Sequence, residues 1–372
     1  MPATLIIFIG GFGESAPEQM IAAAHRAIAQ DTVERAQSSG AFGGIIIATD
    51  SEELARQLRG RVEIDLDQRP FHFGERLRQI IARYQVSLPF YLGGGLPLLS
   101  AEDLGSIARQ LEASSDTVIT NNQYSSDFVA FTPGRAIEKV ELPAIDNPLA
   151  QALVRAGLKA VVLTPSTATI FDIDTPTDLM VLKLHPGAGP RARAYLDSLD
   201  LDLSRLRRAL ACFRDINAEV VVAGRVGSYI WSHLERGTAC RVRTLAEERG
   251  MRADGRDERG EARSILGLYL EQVGVRRFFQ DLRQLGQAAF IDSRVIFAHR
   301  KLRPTAADRF NSDLGRVEDI ADPFIREFTQ GALEAPIPVV LGGHSLMAGG
   351  LLALIEVVKS QSKAVDKTKG LS

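Results

Sequence analysis

With 372 residues the chain is too long for one ordinary hydrophobic core and suits two domains of middling size. Hydrophobic residues at 45% and charged residues at 24% exclude a disordered or collagen-like chain, and a formal net charge of -2 gives no electrostatic basis for wrapping nucleic acid. Two cysteines, Cys212 and Cys240, make neither a disulfide framework nor a metal cage and suit a cytoplasmic setting.

The chain opens with Leu5-Ile6-Ile7-Phe8-Ile9. This apolar run is too short for a membrane span or a signal-peptide core, and it reads as a buried parallel strand. It ends in the turn Gly10-Gly11-Phe12-Gly13. Helical sequence follows over 17–37, then a strand over 44–49 that stops at Asp50. A helix (52–59), a short strand (62–66) and a helix (74–84) come next. A strand over 89–92 stops at Gly93-Gly94-Gly95, and a helix covers 101–113. Strands at 117–120 and 128–131, a helix at 148–156 and a strand at 159–163 complete the first half. Strands alternating with helices predict a doubly wound, mostly parallel α/β sheet.

The segment His185-Pro186-Gly187-Ala188-Gly189-Pro190 breaks every periodic pattern. It predicts a first domain over 1–185, a second α/β domain over 190–358, and a flexible Lys- and Ser-rich tail over 359–372. The second domain reads as helix (203–213), strand (219–223), helix (229–234), strand (240–245), a polar loop (250–261) and helices at 266–273 and 278–285. Strands at 288–291, 295–297 and 338–341 follow, the last running into Gly342-Gly343-His344-Ser345 and a helix.

Ligands of open parallel sheets bind outside the carboxyl ends of the strands, so those turns carry the chemistry. Two of them form recognisable blocks. Gly95-Leu96-Pro97-Leu98-Leu99 leads into Ala101-Glu102-Asp103-Leu104, and Phe171-Asp172-Ile173-Asp174-Thr175-Pro176 leads into Thr177-Asp178-Leu179. In that order they resemble the D-L-P-L-L and D-I-D-T-P blocks of the nucleotidyltransferase superfamily with the GT-A-like fold. The molybdenum cofactor nucleotidyltransferases and the phospholactate guanylyltransferases belong to it. The resemblance covers about residues 1–183.

The resemblance implies a nucleotide at the glycine-rich turns, with Gly10, Gly11, Gly13, Asp50, Gly93, Gly94, Gly95 and Asn121 as its contacts. It implies Asp172 and Asp174 as the catalytic acids that hold Mg²⁺ or Mn²⁺, a metal that needs only one or two carboxylates beside phosphate and water. Two departures stand out. The acid of the D-L-P block is Gly95 here, leaving Asp50 and Asp127 to replace it, and the first turn lacks the family's basic residues. Thr175 or Asp174 also suits the N-cap of a helix starting at Pro176.

In the second half, Arg225, Arg243, Arg294, His299, His344 and Ser345 gather near strand ends and suggest a second ligand site; singly, each suits an ordinary ion pair. Arg69, His72 and Arg76 are expected on a solvated surface. No Ser-His-Asp triad, zinc spacing or Walker A motif is present. The expected activity is transfer of an NMP group from an NTP to a small phosphorylated or hydroxylated metabolite, with no nucleic-acid or membrane partner and self-association left open. A glycosyltransferase using a nucleotide-sugar and a degenerate nucleotide-binding regulatory module are the alternatives.

Overall fold

The computed structural model describes residues 1–67 and 70–369, the side chains of 362–369 excepted. Among the described residues the strands form a seven-stranded and a four-stranded sheet. Two compact units contain them. One comprises Met1–Phe12, Ala22–Ile170 and Gly189–Tyr195, and the other Gly13–Ile21, Phe171–Ala188 and Leu196–Ser372. Residues 171–188, which carry the Asp172–Asp174 block, therefore cluster with the second unit.

The first unit holds β1 (Ala3–Ile9), β2 (Phe42–Thr49), β3 (Glu63–Leu66), β4 (Pro89–Gly93), β5 (Thr117–Thr120), β6 (Phe128–Thr132) and β7 (Lys159–Val162). Their order is β3-β2-β1-β4-β6-β5-β7, with β6 antiparallel to both neighbours and the other pairs parallel. Alternate residues of β1 face opposite layers. Leu5, Ile7 and Ile9 pack with Ala29, Val33 and Leu104, and Ile6 packs with Phe73, Leu77 and Tyr91. Burial on both faces explains why the strand is an unbroken apolar run.

Much of the Gly95–Leu104 block serves this core. Leu96, Leu99 and Leu104 are buried in it. The Ser100 hydroxyl accepts from the Asp103 N–H, and the Asp103 carboxylate accepts from the Ser100 N–H. This reciprocal pair starts the helix Ala101–Glu112.

The second unit holds β8 (Glu219–Gly224), β9 (Arg241–Ala246), β10 (Ala288–Asp292) and β11 (Val339–Gly342), all parallel in the order β11-β10-β8-β9. Phe278, Phe279, Phe297 and Phe328 fill the core on one of its faces. The expected strand over 295–297 is instead part of the helix Ser293–His299. An apolar run of three cannot distinguish strand from buried helix, and the Asp292 carboxylate, accepting from the Arg294 N–H at 3.2 Å, starts a helix there. The last helix, Leu351–Lys369, runs into the segment expected to be a tail; residues 370–372 lie outside the described residues. No helix among the described residues is long and apolar enough to cross a membrane.

Arg76 departs from the expected solvated surface; Arg69 lies outside the described residues. Arg76 is 8% exposed, and its guanidinium donates to Asp65, to Asp67 at 2.7 Å and to the Leu66 carbonyl at 3.0 Å. The three acceptors lie in β3 and the turn after it, so Arg76 fixes this edge strand to the helix Phe73–Arg83. Removing one partner of a buried pair strands the other charge. Arg76→Ala is expected to lower stability by about 3–5 kcal/mol in urea unfolding. A loss under about 1 kcal/mol, the worth of an exposed pair, would show that Arg83 alone holds Asp65.

Candidate functional site

In the first unit the chain runs from β1 to β2 and β3 on one side, then places β4 on the other side of β1. Strand order reverses between β1 and β4, and such a reversal opens a crevice at the carboxyl ends. The two turns there are Gly10–Gly11 and Gly93–Gly95. Gly10 and Gly11 are exposed. Asp50, at the end of β2, sits against them and accepts from the Gly11 N–H at 3.1 Å. A Cβ on Gly10 would lie 2.7 Å from the Asp50 carboxylate. Gly11 has φ +78° and nothing within 4 Å of where its Cβ would be, so its backbone is open to approach.

The Gly93–Gly95 turn is tighter. Gly94 and Gly95 are buried. A Cβ on Gly94 would meet the end of the Ile9 side chain, which packs against this turn. The Gly93 N–H donates to the Asp127 carbonyl at 3.0 Å. Asn121 is buried and fully used. Its amide nitrogen donates to the Asp127 carboxylate at 2.6 Å and to the Thr169 carbonyl at 2.9 Å, while its oxygen accepts from the Asp127 N–H. It shapes the loop between β5 and β6. Gly13 belongs to the second unit, where its carbonyl accepts from Gln19 at 2.6 Å.

The four-stranded sheet has its own reversal, between β8 and β10. Two buried ion pairs stand at its carboxyl ends. Arg225 grips Asp292 through both oxygens, at 2.6 and 3.1 Å. Arg294 grips Asp313 at 2.6 and 2.5 Å, and also donates to the Gly342 carbonyl at 3.2 Å. Arg294 therefore ties β10, β11 and the helix Ala306–Leu314 together.

The Asp172–Asp178 segment docks on the same edge. The Ser345 hydroxyl donates to the Asp172 carbonyl, and the Thr177 hydroxyl donates to the Leu341 carbonyl at 2.7 Å. Thr175 caps the helix Pro176–Leu184, and Asp178 accepts from both its N–H and its hydroxyl, at 2.8 and 2.9 Å. Burial, with Asp174 second, pushes the Asp178 carboxyl well above the usual range. Its second oxygen has no hydrogen-bond partner among the described residues.

His344 is solvent-accessible at its edge but surrounded by protein. Desolvation, then Arg225, lowers its pKa against the pull of Asp292 and Asp174. Burial disfavours the charged form of Asp292, but Arg225 outweighs it and the carboxyl stays below its usual range.

Of the residues read from sequence as a second site, Arg225, Arg294, His344 and Ser345 share this edge. Arg243 and His299 do not. Arg243 pairs with Glu219, at the start of β8, at 3.4 Å. The His299 ring accepts from the Ser264 N–H at 3.1 Å and packs against Gly267. Asp313 and Asp178 also stand at this edge, in roles that the sequence does not name. Asp313 lies in Asn311-Ser312-Asp313, legible as a polar stretch but not as the partner of Arg294.

Among the described residues no group of three or more His, Cys, Asp or Glu side chains is placed to hold a metal by itself. Mg²⁺ asks for less where phosphates complete its shell. Asp172 is half-buried and Asp174 exposed, on backbone fixed by Ser345 and Asp178.

No family model and no curated protein matches the chain. Several solved structures are similar over about half of it. A nucleotidyl transferase from Methanothermobacter thermautotrophicus is 14% identical, covering 53% of this chain and 99% of its own, with a TM-score of 0.40. A cytidylyltransferase from Leptospira borgpetersenii is 16% identical, covering 52% and 90%, with a TM-score of 0.35. A 4-diphosphocytidyl-2C-methyl-D-erythritol synthase from Anaerococcus prevotii is 17% identical, covering 47% and 94%, with a TM-score of 0.34. Such values leave the functional reading to this chain's own residues.

The Arg225–Asp292 pair has a pH signature. A carboxyl whose folded pKa is depressed stabilises the fold above its unfolded value near 3.9, and that stability is lost as pH falls through the folded value. Arg225→Ala reverses the sign at Asp292. The buried, unpaired carboxylate then destabilises the fold increasingly as pH rises past about 4, reaching about 3–5 kcal/mol at pH 7. Denaturant unfolding of both proteins across pH 4–7 checks this. A loss independent of pH would assign it to packing instead.

Proposed function

We propose that the chain is a nucleotidyltransferase-like enzyme that moves an NMP group from an NTP to a small phosphorylated or hydroxylated metabolite, with Mg²⁺ or Mn²⁺ as its metal. The observation that carries this reading is the turn after β1. Two exposed glycines stand at the reversal point of the first sheet, and the Gly11 N–H already holds an anionic oxygen, that of Asp50 at 3.1 Å. A phosphate oxygen makes the same demand on that amide. The ordered blocks at Gly95–Leu99 and Asp172–Asp178 support the same class.

Each residue has a defined task. Gly10 and Gly11 bring backbone close to the triphosphate and orient it. Asp172 and Asp174 are the carboxylates that the resemblance assigns to the metal. The chemistry a bound divalent ion supplies is neutralisation of charge building on the α-phosphate. Gly95 stands where the resembled family carries an acid. Asp127 is tied to Asn121, whereas Asp50 is exposed with one bond to Gly11, so Asp50 is the freer substitute.

Isothermal titration with each of four NTPs plus Mg²⁺ tests the binding, and release of pyrophosphate tests the transfer. At least one NTP is expected to bind; if none does, the reading fails. Gly11→Val puts a branched side chain at φ +78° and over the open approach. It should weaken nucleotide binding more than about tenfold, the equivalent of about 1.4 kcal/mol. Asp172→Ala should abolish metal-dependent turnover while the protein still unfolds cooperatively. Binding without turnover in the unaltered protein would favour the regulatory module, for which Gly95 already argues.

A further inference from the structure

A cavity of about 190 Å³ lies within the second unit, walled by β11 and by the helices Pro176–Leu184, Ser204–Cys212, Ala306–Leu314 and Pro323–Leu333. Its wall is mixed: polar atoms supply about as much of the lining as apolar ones, with Met180, Leu206 and Ala332 among the apolar side chains. Arg205 also lines it, half-buried on the helix Ser204–Cys212.

No hydrogen bond or ion pair engages Arg205 among the described residues. The carboxylates on the wall make no hydrogen bond to Arg205 among the described residues. Asp202 accepts from the Ser204 N–H at 2.8 Å, and both oxygens of Asp313 are held by Arg294. Desolvation lowers the pKa of Arg205, Asp202 opposes this and Arg208 adds to it, yet a guanidinium stays charged. Its five N–H donors thus meet water but no protein acceptor among the described residues. The guanidinium lies near Gly315, which ends the helix Ala306–Leu314, and a helix terminus contributes only about 0.3–1 kcal/mol to such a charge.

We propose that this cavity binds a small organic monocarboxylate, its carboxylate paired with Arg205 and its apolar body against Met180, Leu206 and Ala332. The wall decides the class of anion. The Thr329 hydroxyl donates to the Ile325 carbonyl at 2.7 Å, so Ser312, 2.7 Å from Thr329, spends its own hydrogen on Thr329. Neither hydroxyl has a donor left. One guanidinium fork matches one carboxylate in two parallel bonds, whereas a phosphate dianion asks for more donors than this wall offers. Size sets the body. An apolar cavity of about 150 Å³ holds benzene, so this one suits about six to eight non-hydrogen atoms.

The test uses the full chain with pentanoate, 1-pentanol and inorganic phosphate as probes, read by isothermal titration and thermal shift. Pentanoate is expected to bind at least about tenfold more tightly than either alternative, the worth of a hydrogen-bonded charge. Arg205→Gln should remove that preference, and Ala332→Met, which fills the cavity, should abolish pentanoate binding. The proposal is overturned if pentanoate does not bind, if pentanol or phosphate binds as well, or if Arg205→Gln leaves pentanoate affinity unchanged. Should either variant fail to fold, the comparison of pentanoate with pentanol on the unaltered protein still decides.

Discussion

A parallel strand buried on both faces has no side chain to spare for chemistry, so its carboxyl-terminal turn must carry whatever the strand contributes. Both units obey this constraint. β1 gives Leu5, Ile6, Ile7 and Ile9 to two opposed layers, and the first residues free of that packing are Gly10 and Gly11. In the second unit Val221 and Ala223 enter the core, and Arg225 is the first side chain beyond it that can carry charge. In each sheet the strand order reverses beside that strand, so the turn opens beside a crevice rather than against a neighbouring connection.

The two edges meet the constraint with different chemistry. The first is built of backbone: amides at Gly10 and Gly11, with one exposed carboxylate at Asp50. Such an edge suits an anionic group that needs donors and close approach. The second is built of side chains, and its charges are already balanced. Arg225 with Asp292 and Arg294 with Asp313 are buried pairs, whose desolvation cost is recovered only through good geometry. Their bidentate contacts meet that condition and fix the ends of β8, β10 and β11. This framework is what holds the Asp172–Asp178 segment, through Ser345 and the Leu341 carbonyl.

Local signals made much of this legible from sequence. An unbroken apolar run announced β1, and Thr175-Pro176 announced the helix Pro176–Leu184 through its cap. The block at Leu96–Leu104 was legible as a motif, but its leucines turn out to serve the core and Ser100 the cap. Partners distant in the chain were not legible. Arg225 and Asp292 are 67 residues apart, and nothing local to either names the other. Asn121 reads as a strand-end candidate for a ligand, yet its amide is consumed by Asp127 and Thr169. Val295-Ile296-Phe297 has the composition of a strand and becomes part of a helix because Asp292, three residues earlier, supplies its cap. Beside Gly94, the end of the Ile9 side chain fills the space a Cβ would take.

The proposed role of the turn after β1 is to hold the phosphates of a nucleotide. The most direct measurement is the backbone amide signal of Gly11 in a ¹H–¹⁵N spectrum of the full chain, followed as each NTP is added with Mg²⁺. The account predicts that one NTP shifts the Gly10 and Gly11 signals to saturation, with Asp50 perturbed alongside. Saturating shifts confined to other residues, or none with any NTP, would contradict it.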